Sequence, residues 1–201
     1  MFEFELKWGS FFFILFFFRK MDQLLVLVLR GITGVGKSFL RKMLKLGLEK
    51  MGKKVGVINK DNYRRFLDER EGYHYTQEEE RRVSEWYRTT WENMSANTFY
   101  DVIICDNTNV RSSEISIPLF MRDPIGGRKI KTVIIQIGDP DSTTESTVPK
   151  HIIERMRQDM KVSEKVVDDA LARGDATLIE LPPKSAIETG VSDLIQECYD
   201  C

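Results

Sequence analysis

Cysteine is scarce in this chain, with three residues among 201. Three thiols cannot build the disulfide framework of a small secreted fold, and this usage fits a reducing compartment. Cys105 sits in an apolar, strand-like stretch and reads as a buried thiol. Cys198 and Cys201 form a C-x-x-C at the end of the sequence, with no second pair and no histidine nearby, short of a full zinc ligand set. Long apolar runs are missing too. The apolar block from Trp8 to Phe18 spans about eleven residues, whereas a membrane helix needs roughly 17–25. It does not fit a signal peptide, because Glu3 and Glu5 accompany Lys7 where a cationic start is required, and no A-x-A follows the block. There is no N-K-x-D guanine signature and no D-x-x-G after a strand-like run, so GTPase chemistry lacks its markers. Internal repeats are absent, as are low-complexity tracts beyond the phenylalanine block.

Residues 1–20 stand apart from the pattern that follows them. Met21 immediately precedes the first strand-like run, which suggests a natural start there and an upstream extension before it. The rival reading is a membrane-peripheral anchor. No stable membrane association is expected from a block this short. The remaining length, residues 21–201, suits one α/β domain with a substantial core and is too short for two. The net charge of −1 hides an asymmetry. From Arg19 to Arg70 there are fourteen Lys/Arg against five Asp/Glu, a net of +9, and from Lys161 onward four against nine, a net of −5. A basic N-terminal half suits a polyanionic ligand, although nucleotide binding and solvated helix faces account for much of it.

The chain is organised around Gly31-Ile32-Thr33-Gly34-Val35-Gly36-Lys37-Ser38, which fits G-x-x-x-x-G-K-[ST]. Before it runs Leu24 to Leu29, apolar and of strand length. After it Leu40, Met43, Leu44, Leu48 and Met51 recur at helical spacing. A glycine-rich turn between a strand and a helix directs backbone N–H groups inward around a phosphate, and the helix N-terminus adds partial positive charge. Lys37 can reach β- and γ-oxygens, and the Ser38 hydroxyl can ligate Mg²⁺. Gly31, Thr33, Gly34, Val35, Gly36, Lys37, Ser38 and Phe39 are therefore the candidate nucleotide-binding residues. This is a nucleoside triphosphate site.

Beyond the loop, Gly52 is placed to end the first helix in a left-handed conformation. Val55 to Ile58 reads as a second strand with Asn59 to Arg64 at its exit, where parallel α/β sheets place their ligands. Thr76-Gln77-Glu78-Glu79 fits a capping box, and Glu78 to Glu80 reads as charge compensation at a helix start. The helix it opens carries Val83, Trp86, Tyr87, Thr90, Trp91 and Met94 on one stripe, expected to be core. A third strand spans Tyr100 to Cys105, and a helix from about Ser113 is expected to be bent or interrupted near Pro118. Pro124 to Gly127 is a turn, and Lys131 to Ile137 a fourth strand. Gly138 to Thr147 is a breaker-rich loop. Val148-Pro149 opens a helix to about Met160, followed by a short helix at Val166 to Leu171, a strand at Thr177 to Leu181 and a helix through Leu194. Alternating strands and helices indicate a parallel sheet with helices on both faces.

Two acids and an arginine narrow the chemistry. Asp61 and Arg64 are three apart just after the second strand, so one helical turn would aim both toward the phosphate loop. There a carboxylate can take the proton of an attacking hydroxyl, and an arginine can fork onto an acceptor phosphate. The bland alternative is a surface ion pair. Asp106 ends an apolar strand, where an acid can orient Mg²⁺ directly or through water together with Ser38.

Taken together, Gly31 to Ser38, Ile58-Asn59-Lys60-Asp61-Asn62-Tyr63-Arg64, Tyr73-His74-Tyr75-Thr76, Ile104-Cys105-Asp106-Asn107-Thr108-Asn109 and Val148-Pro149 resemble the phage-type 5′-hydroxyl polynucleotide kinases, across about Leu24 to Met160. The resemblance implies a P-loop kinase three-layer sandwich. It also implies ATP and Mg²⁺ as cofactors and transfer of the γ-phosphate to the 5′-hydroxyl of DNA or RNA in end repair. Asp61 falls on the family's general base, and Arg64 on the arginine that binds the phosphate 3′ to the terminal nucleoside. Asp106 and Thr108 fall on the element that positions the acceptor strand, with Asn107 as an alternative to Asp106. Lys37, Asp61, Arg64 and Asp106 are thus the candidate catalytic residues. The implied partners are single-stranded or end-frayed 5′ ends, and the implied compartment is the cytoplasm, the host's if the chain is phage-encoded.

Two departures qualify the resemblance. The family's lid carries phosphate-clasping arginines, whereas Gly138 to Thr147 here holds no Arg or Lys and includes Asp139, Asp141 and Glu145. An arginine acting on a phosphoryl-transfer transition state can contribute about 10³-fold or more. Lys150, Arg155 and Arg157 are the substitutes that the next helix offers. The D-x-D-x-T pattern of the family's added phosphatase domain occurs here only within the lid loop, as Asp139-Pro140-Asp141-Ser142-Thr143, and 3′-phosphatase activity is not expected. Two other readings stay open: a small-molecule or tRNA-directed P-loop kinase, and a catalytically weak nucleotide- or nucleic-acid-binding protein. For residues 161–201, a homo-oligomer contact and a cover for the base of ATP are both open.

Overall fold

The computed structural model describes residues 23–121, 128–138, 148–182 and 191–200. Residues 1–20, the turn at Pro124 to Gly127 and most of the expected lid lie outside them. Five strands, β1 (Gln23–Arg30), β2 (Val55–Ile58), β3 (Val102–Cys105), β4 (Lys129–Ile137) and β5 (Ala176–Leu181), form one sheet in the order β2-β3-β1-β4-β5. Every pairing is parallel. Among the described residues, six helices lie between and after the strands, two of them between β2 and β3: α1 (Lys37–Lys50), α2 (Lys60–Glu71), α3 (Gln77–Ala96), α4 (Ser112–Phe120), α5 (Lys150–Ala172) and α6 (Val191–Asp200).

The alternation of side chains along β1 explains why its sequence is apolar throughout. Leu25, Leu27 and Leu29 enter one core with Leu40, Leu44 and Leu48 of α1 and Ile195 of α6. Leu24, Val26 and Val28 enter the other with Tyr87 and Trp91 of α3, Ile115 of α4 and Val167 of α5. A central parallel strand is covered on both faces and so has no polar side to display. Each fully buried aliphatic side chain contributes about 1.5–3 kcal/mol. The result is the three-layer α/β sandwich expected from the sequence. Among the described residues, no helix is long and apolar enough to cross a membrane.

Several local expectations are corrected. Met51 does not share the buried stripe of α1; it stands at the C-cap and is exposed, with Gly52 left-handed at φ 76° just after it. The Thr76 hydroxyl accepts from the Glu79 N–H at 3.2 Å, but the Glu79 carboxylate accepts from the His74 N–H rather than closing a reciprocal box. Trp91 is fully buried and donates from Nε1 to the Met121 carbonyl, whereas Trp86 is half-buried and stacks on Tyr63 at 4.4 Å. The two helices expected either side of Met160 are one, α5, which carries no breaker and seats Ser163, Val167 and Ala170 against the core. Helix α4 runs through Pro118 and ends two residues later. Cys105 is buried, which pushes its thiol up to about 12, and Cys198 is buried as well. Cys201 lies outside the described residues, among which no group of three or more metal-ligating side chains occurs.

Candidate functional site

The phosphate loop joins the carboxyl end of β1 to α1, at the point where the chain departs to opposite sides of the sheet. Gly31, Gly34 and Gly36 take φ values of 152°, 85° and 104°. At Gly31 a Cβ would also lie 3.1 Å from the Ile137 carbonyl and 3.1 Å from Val35 Cγ2. Gly36 is the N-cap of α1 and offers no side-chain acceptor, and the first turn holds no acid. The free N–H groups of that turn are thus left for an external acceptor. Val35 is buried, its side chain in the core, while Ser38 is exposed. Lys37 folds back onto the loop, donating from Nζ to the Gly31 carbonyl at 2.8 Å and to that of Ile32 at 2.5 Å. Burial lowers its pKa to about 8, against the pull of Asp106 and Asp61.

Asp106 follows β3, and its backbone N–H donates to the Ile58 carbonyl of β2 at 2.9 Å. Its side chain is buried, which raises its pKa, while Arg41 of α1 at 3.2 Å and Asn59 Nδ2 at 3.0 Å draw it back toward the charged form. Asn59 has a second task. Its Oδ1 accepts the Asn62 N–H at 2.9 Å and so caps α2. One amide therefore fixes the start of α2, and with it Asp61, relative to Asp106. Lys37, Ser38, Asp61, Asp106 and Thr108 line one cavity of about 310 Å³, together with Thr33, Gly34, Gly36, Phe39, Asn59 and Asn107. The structure thus brings the phosphate loop and both acids to a single space. The glycines, the open helix end, the lysine, and a serine hydroxyl facing the same cavity as a buried acid together fit a Mg²⁺-bound nucleotide.

A second cavity, about 430 Å³, shares Thr33, Asp61, Asn107 and Thr108 with the first and extends between α2, α3, α4 and α5. Arg64 lies here and not in the phosphate cavity, so Asp61 and Arg64 do not both face the loop as the spacing suggested. Glu80 of α3 holds Arg64 by Nε at 2.7 Å and Nη2 at 2.8 Å, and Asp61 takes Nη1 at 2.5 Å. Burial opposes the Arg64 charge, but the Glu80 contacts outweigh it and raise its pKa. The Tyr73 hydroxyl also donates to Glu80. Glu80 therefore does more than compensate a helix start. At the floor of this groove Lys60 pairs with Glu114 at 3.1 Å and lies 5.3 Å from the Tyr87 ring centroid. Thr108 Oγ1 contacts the other Glu114 oxygen at 3.4 Å.

Glu80, Lys60 and Glu114 were not singled out from the sequence. Glu80 stands in an acidic run at a helix start, and its partner is sixteen positions earlier. Of the three cations considered as lid substitutes, Arg155 lines the groove. Arg157 lines a different cavity, beside Arg30 and Lys161, and Lys150 lines neither.

No protein-family model matches the chain, and no curated protein does. Solved structures do. The crystal structure of a protein designated APE1195 is 19% identical, covering 89% of this chain and 96% of its own, with a TM-score of 0.52. A Chloroflexus aurantiacus protein, described only provisionally as a kinase, is 12% identical over 90% of this chain and 96% of its own, with a TM-score of 0.53. A shikimate kinase from Acinetobacter baumannii overlaps more loosely, at 14% identity and a TM-score of 0.45 over 90% and 94%. The chain has the P-loop kinase fold. At these identities the likeness is one of fold.

Proposed function

We propose that this chain transfers the γ-phosphate of ATP to the 5′-hydroxyl of a DNA or RNA strand. The observation that carries the reading is the position of Asp61, which lines both the phosphate cavity and the groove beside it. A hydroxyl entering from the groove meets a carboxylate at the boundary with the loop, and that carboxylate can accept its proton. Arg64, just inside the groove, then offers a guanidinium to the phosphate that follows the terminal sugar. Lys37 exchanges its two loop carbonyls for phosphate oxygens, and Asp106 with Ser38 would hold Mg²⁺, directly or through water. ATP supplies the phosphoryl group, and its metal neutralises charge on the transferring oxygens. The resemblance of the motif series to polynucleotide kinases supports the choice of acceptor.

A second reading has one observation in its favour. The groove is lined by four carboxylates, Asp61, Glu80, Glu114 and Asp159, and four cations, Lys60, Arg64, Arg111 and Arg155. A balanced lining also suits a small polyhydroxyl acceptor carrying one anionic group. One assay separates the two. The full-length protein is incubated with γ-labelled ATP, Mg²⁺ and either 5′-hydroxyl oligonucleotides of DNA and RNA or nucleosides, sugars and tRNA. Label on the oligonucleotides, lost in Asp61→Ala while ATP binding persists, is the expected result. Label confined to small acceptors or tRNA selects the second reading, and ATP binding without transfer to any acceptor rejects both.

A further inference from the structure

The groove beside the phosphate loop holds two side chains that the fold itself does not use. Three of its four cations are neutralised: Lys60 by Glu114, Arg64 by Glu80 and Asp61, and Arg111 by Asp159 at 3.2 Å. Arg155, on α5, forms no ion pair with any described residue. Tyr75, in the connection between α2 and α3, lines the same groove, is 76% exposed, and has no hydrogen-bond or ring partner among the described residues. An unneutralised guanidinium and an uncovered aromatic ring in one groove match what a nucleotide offers. The planar fork of arginine suits a phosphodiester, and an aromatic face suits any base. Val110, Ile152 and Met156 add apolar lining for a base or sugar.

We propose that Tyr75 and Arg155 form a subsite for the nucleotide that follows the 5′-terminal one. The proposal rests on the groove being the acceptor site. A strand whose terminal hydroxyl lies at Asp61 places its first phosphate at Arg64. Its next phosphate then has one unpaired cation within the groove, Arg155, and the accompanying base has one uncovered ring, Tyr75. The acceptor read in this way carries at least two phosphodiester groups. A nucleoside 3′-monophosphate satisfies Arg64 alone.

The test measures binding apart from transfer. A trinucleotide with a free 5′-hydroxyl and a fluorophore at its 3′ end is titrated with the full-length protein, in DNA and RNA forms, and a nucleoside 3′-monophosphate is used as competitor. Arg155→Ala is expected to weaken the trinucleotide by about tenfold and to leave the monophosphate within twofold. It should also flatten the plot of log affinity against log salt by about 0.7, the share of one phosphate contact on a single strand. Tyr75→Ala is expected to weaken the trinucleotide severalfold, while Tyr75→Phe, which keeps the ring, stays near wild type. Melting curves of each variant establish that it is folded. The proposal is overturned if Arg155→Ala leaves the affinity and salt slope unchanged, if it weakens both ligands equally, or if the wild type binds the trinucleotide no better than the monophosphate. Binding that depends on Arg155 without any phosphate transfer retains the subsite and rejects the kinase reading. Transfer to oligonucleotides that is indifferent to Arg155 does the reverse.

Discussion

Arg64 of α2 and Glu80 of α3 form a two-pronged ion pair, Nε to Oε1 at 2.7 Å and Nη2 to Oε2 at 2.8 Å, across the seam between the helices. The fork leaves Nη1 for Asp61. Glu80 therefore sets where the arginine stands, and Asp61 shares it.

Replacing Glu80 with Gln keeps the shape and removes the charge that fixes Arg64. The expected outcome is a loss of about tenfold or more in kcat/KM for a 5′-hydroxyl oligonucleotide, about 1.4 kcal/mol, with the KM for ATP within twofold. An unchanged acceptor kcat/KM would mean that Arg64 needs no such support. Acid provides an independent reading. Burial raises the Glu80 pKa, but its hydrogen bonds from Arg64 and Tyr73 outweigh that and hold it below the ordinary value of 4.5. A carboxyl with a depressed folded-state pKa contributes stability that is full above its unfolded value and is lost as pH falls through the folded one. The difference in unfolding midpoint between wild type and Glu80→Gln should accordingly be constant at neutral pH and shrink once pH falls below about 4.5.

Lys37 predicts a pH dependence of the opposite origin. In the empty loop burial lowers its pKa to about 8, and a polyphosphate placed beside it would raise that value again. The bound state then holds more protons than the free state at pH above about 8, so ATP affinity falls as pH rises through that region, by at most about tenfold per unit. Isothermal titration at pH 9 in two buffers of different ionisation enthalpy should show uptake of up to one proton, and none at pH 6.5. The same shift has an opposite sign for folding. The lysine costs stability while it is charged and buried, and this cost lessens between about pH 8 and 10.5. Affinity that is flat from pH 7 to 9.5 would remove Lys37 from the phosphates.

The phosphate loop and the strands were legible because each is a local pattern. Leu24 to Leu29 before Gly31 and the spacing of Leu40, Leu44 and Leu48 after it suffice to place the loop between a strand and a helix. Asp61 and Asp106 were legible for the same reason, since Asp106 directly follows a short apolar run and Asp61 lies three residues beyond another. Arg64 was only half legible: its spacing from Asp61 was visible, but its orientation is decided by Glu80, whose acidic neighbours Glu78 and Glu79 gave a sufficient local reason for its presence. Lys60 and Glu114 were hidden because their pairing joins the exits of two strands, 54 positions apart. The continuity of α5 through Met160 was missed because Lys161 to Leu171 carries a weaker apolar period, and only Ser163, Val167 and Ala170 turn inward. Asn109 shows the limit most clearly. The sequence placed it at the end of an acceptor-binding element, whereas its side chain faces the interior.

Asn109 is fully buried, with φ 51°, and its Nδ2 donates to the Leu29 carbonyl at 2.7 Å and the Cys105 carbonyl at 3.1 Å. It ties the ends of β1 and β3 together beneath the loop, next to the bond from the Gly31 N–H to the Thr108 carbonyl at 3.0 Å. Asn109→Ala withdraws the donor from both carbonyls and leaves a Cβ-bearing residue at a positive φ that asparagine tolerates better. The expected cost is about 2–3 kcal/mol of unfolding free energy, read from denaturant midpoints at unchanged slope. Asn109→Asp should cost more, because a carboxylate would face two carbonyl oxygens in a buried setting. Asn109→Gly separates the causes, since it removes the amide and accepts the backbone angle. A loss for Gly close to that for Ala assigns the cost to the hydrogen bonds, and a Gly variant as stable as wild type assigns it to the backbone. If the amide is the tie, the Ala and Gly variants should also bind ATP more weakly than their residual folded fraction accounts for, because Leu29 and Thr108 flank the turn that presents Gly31.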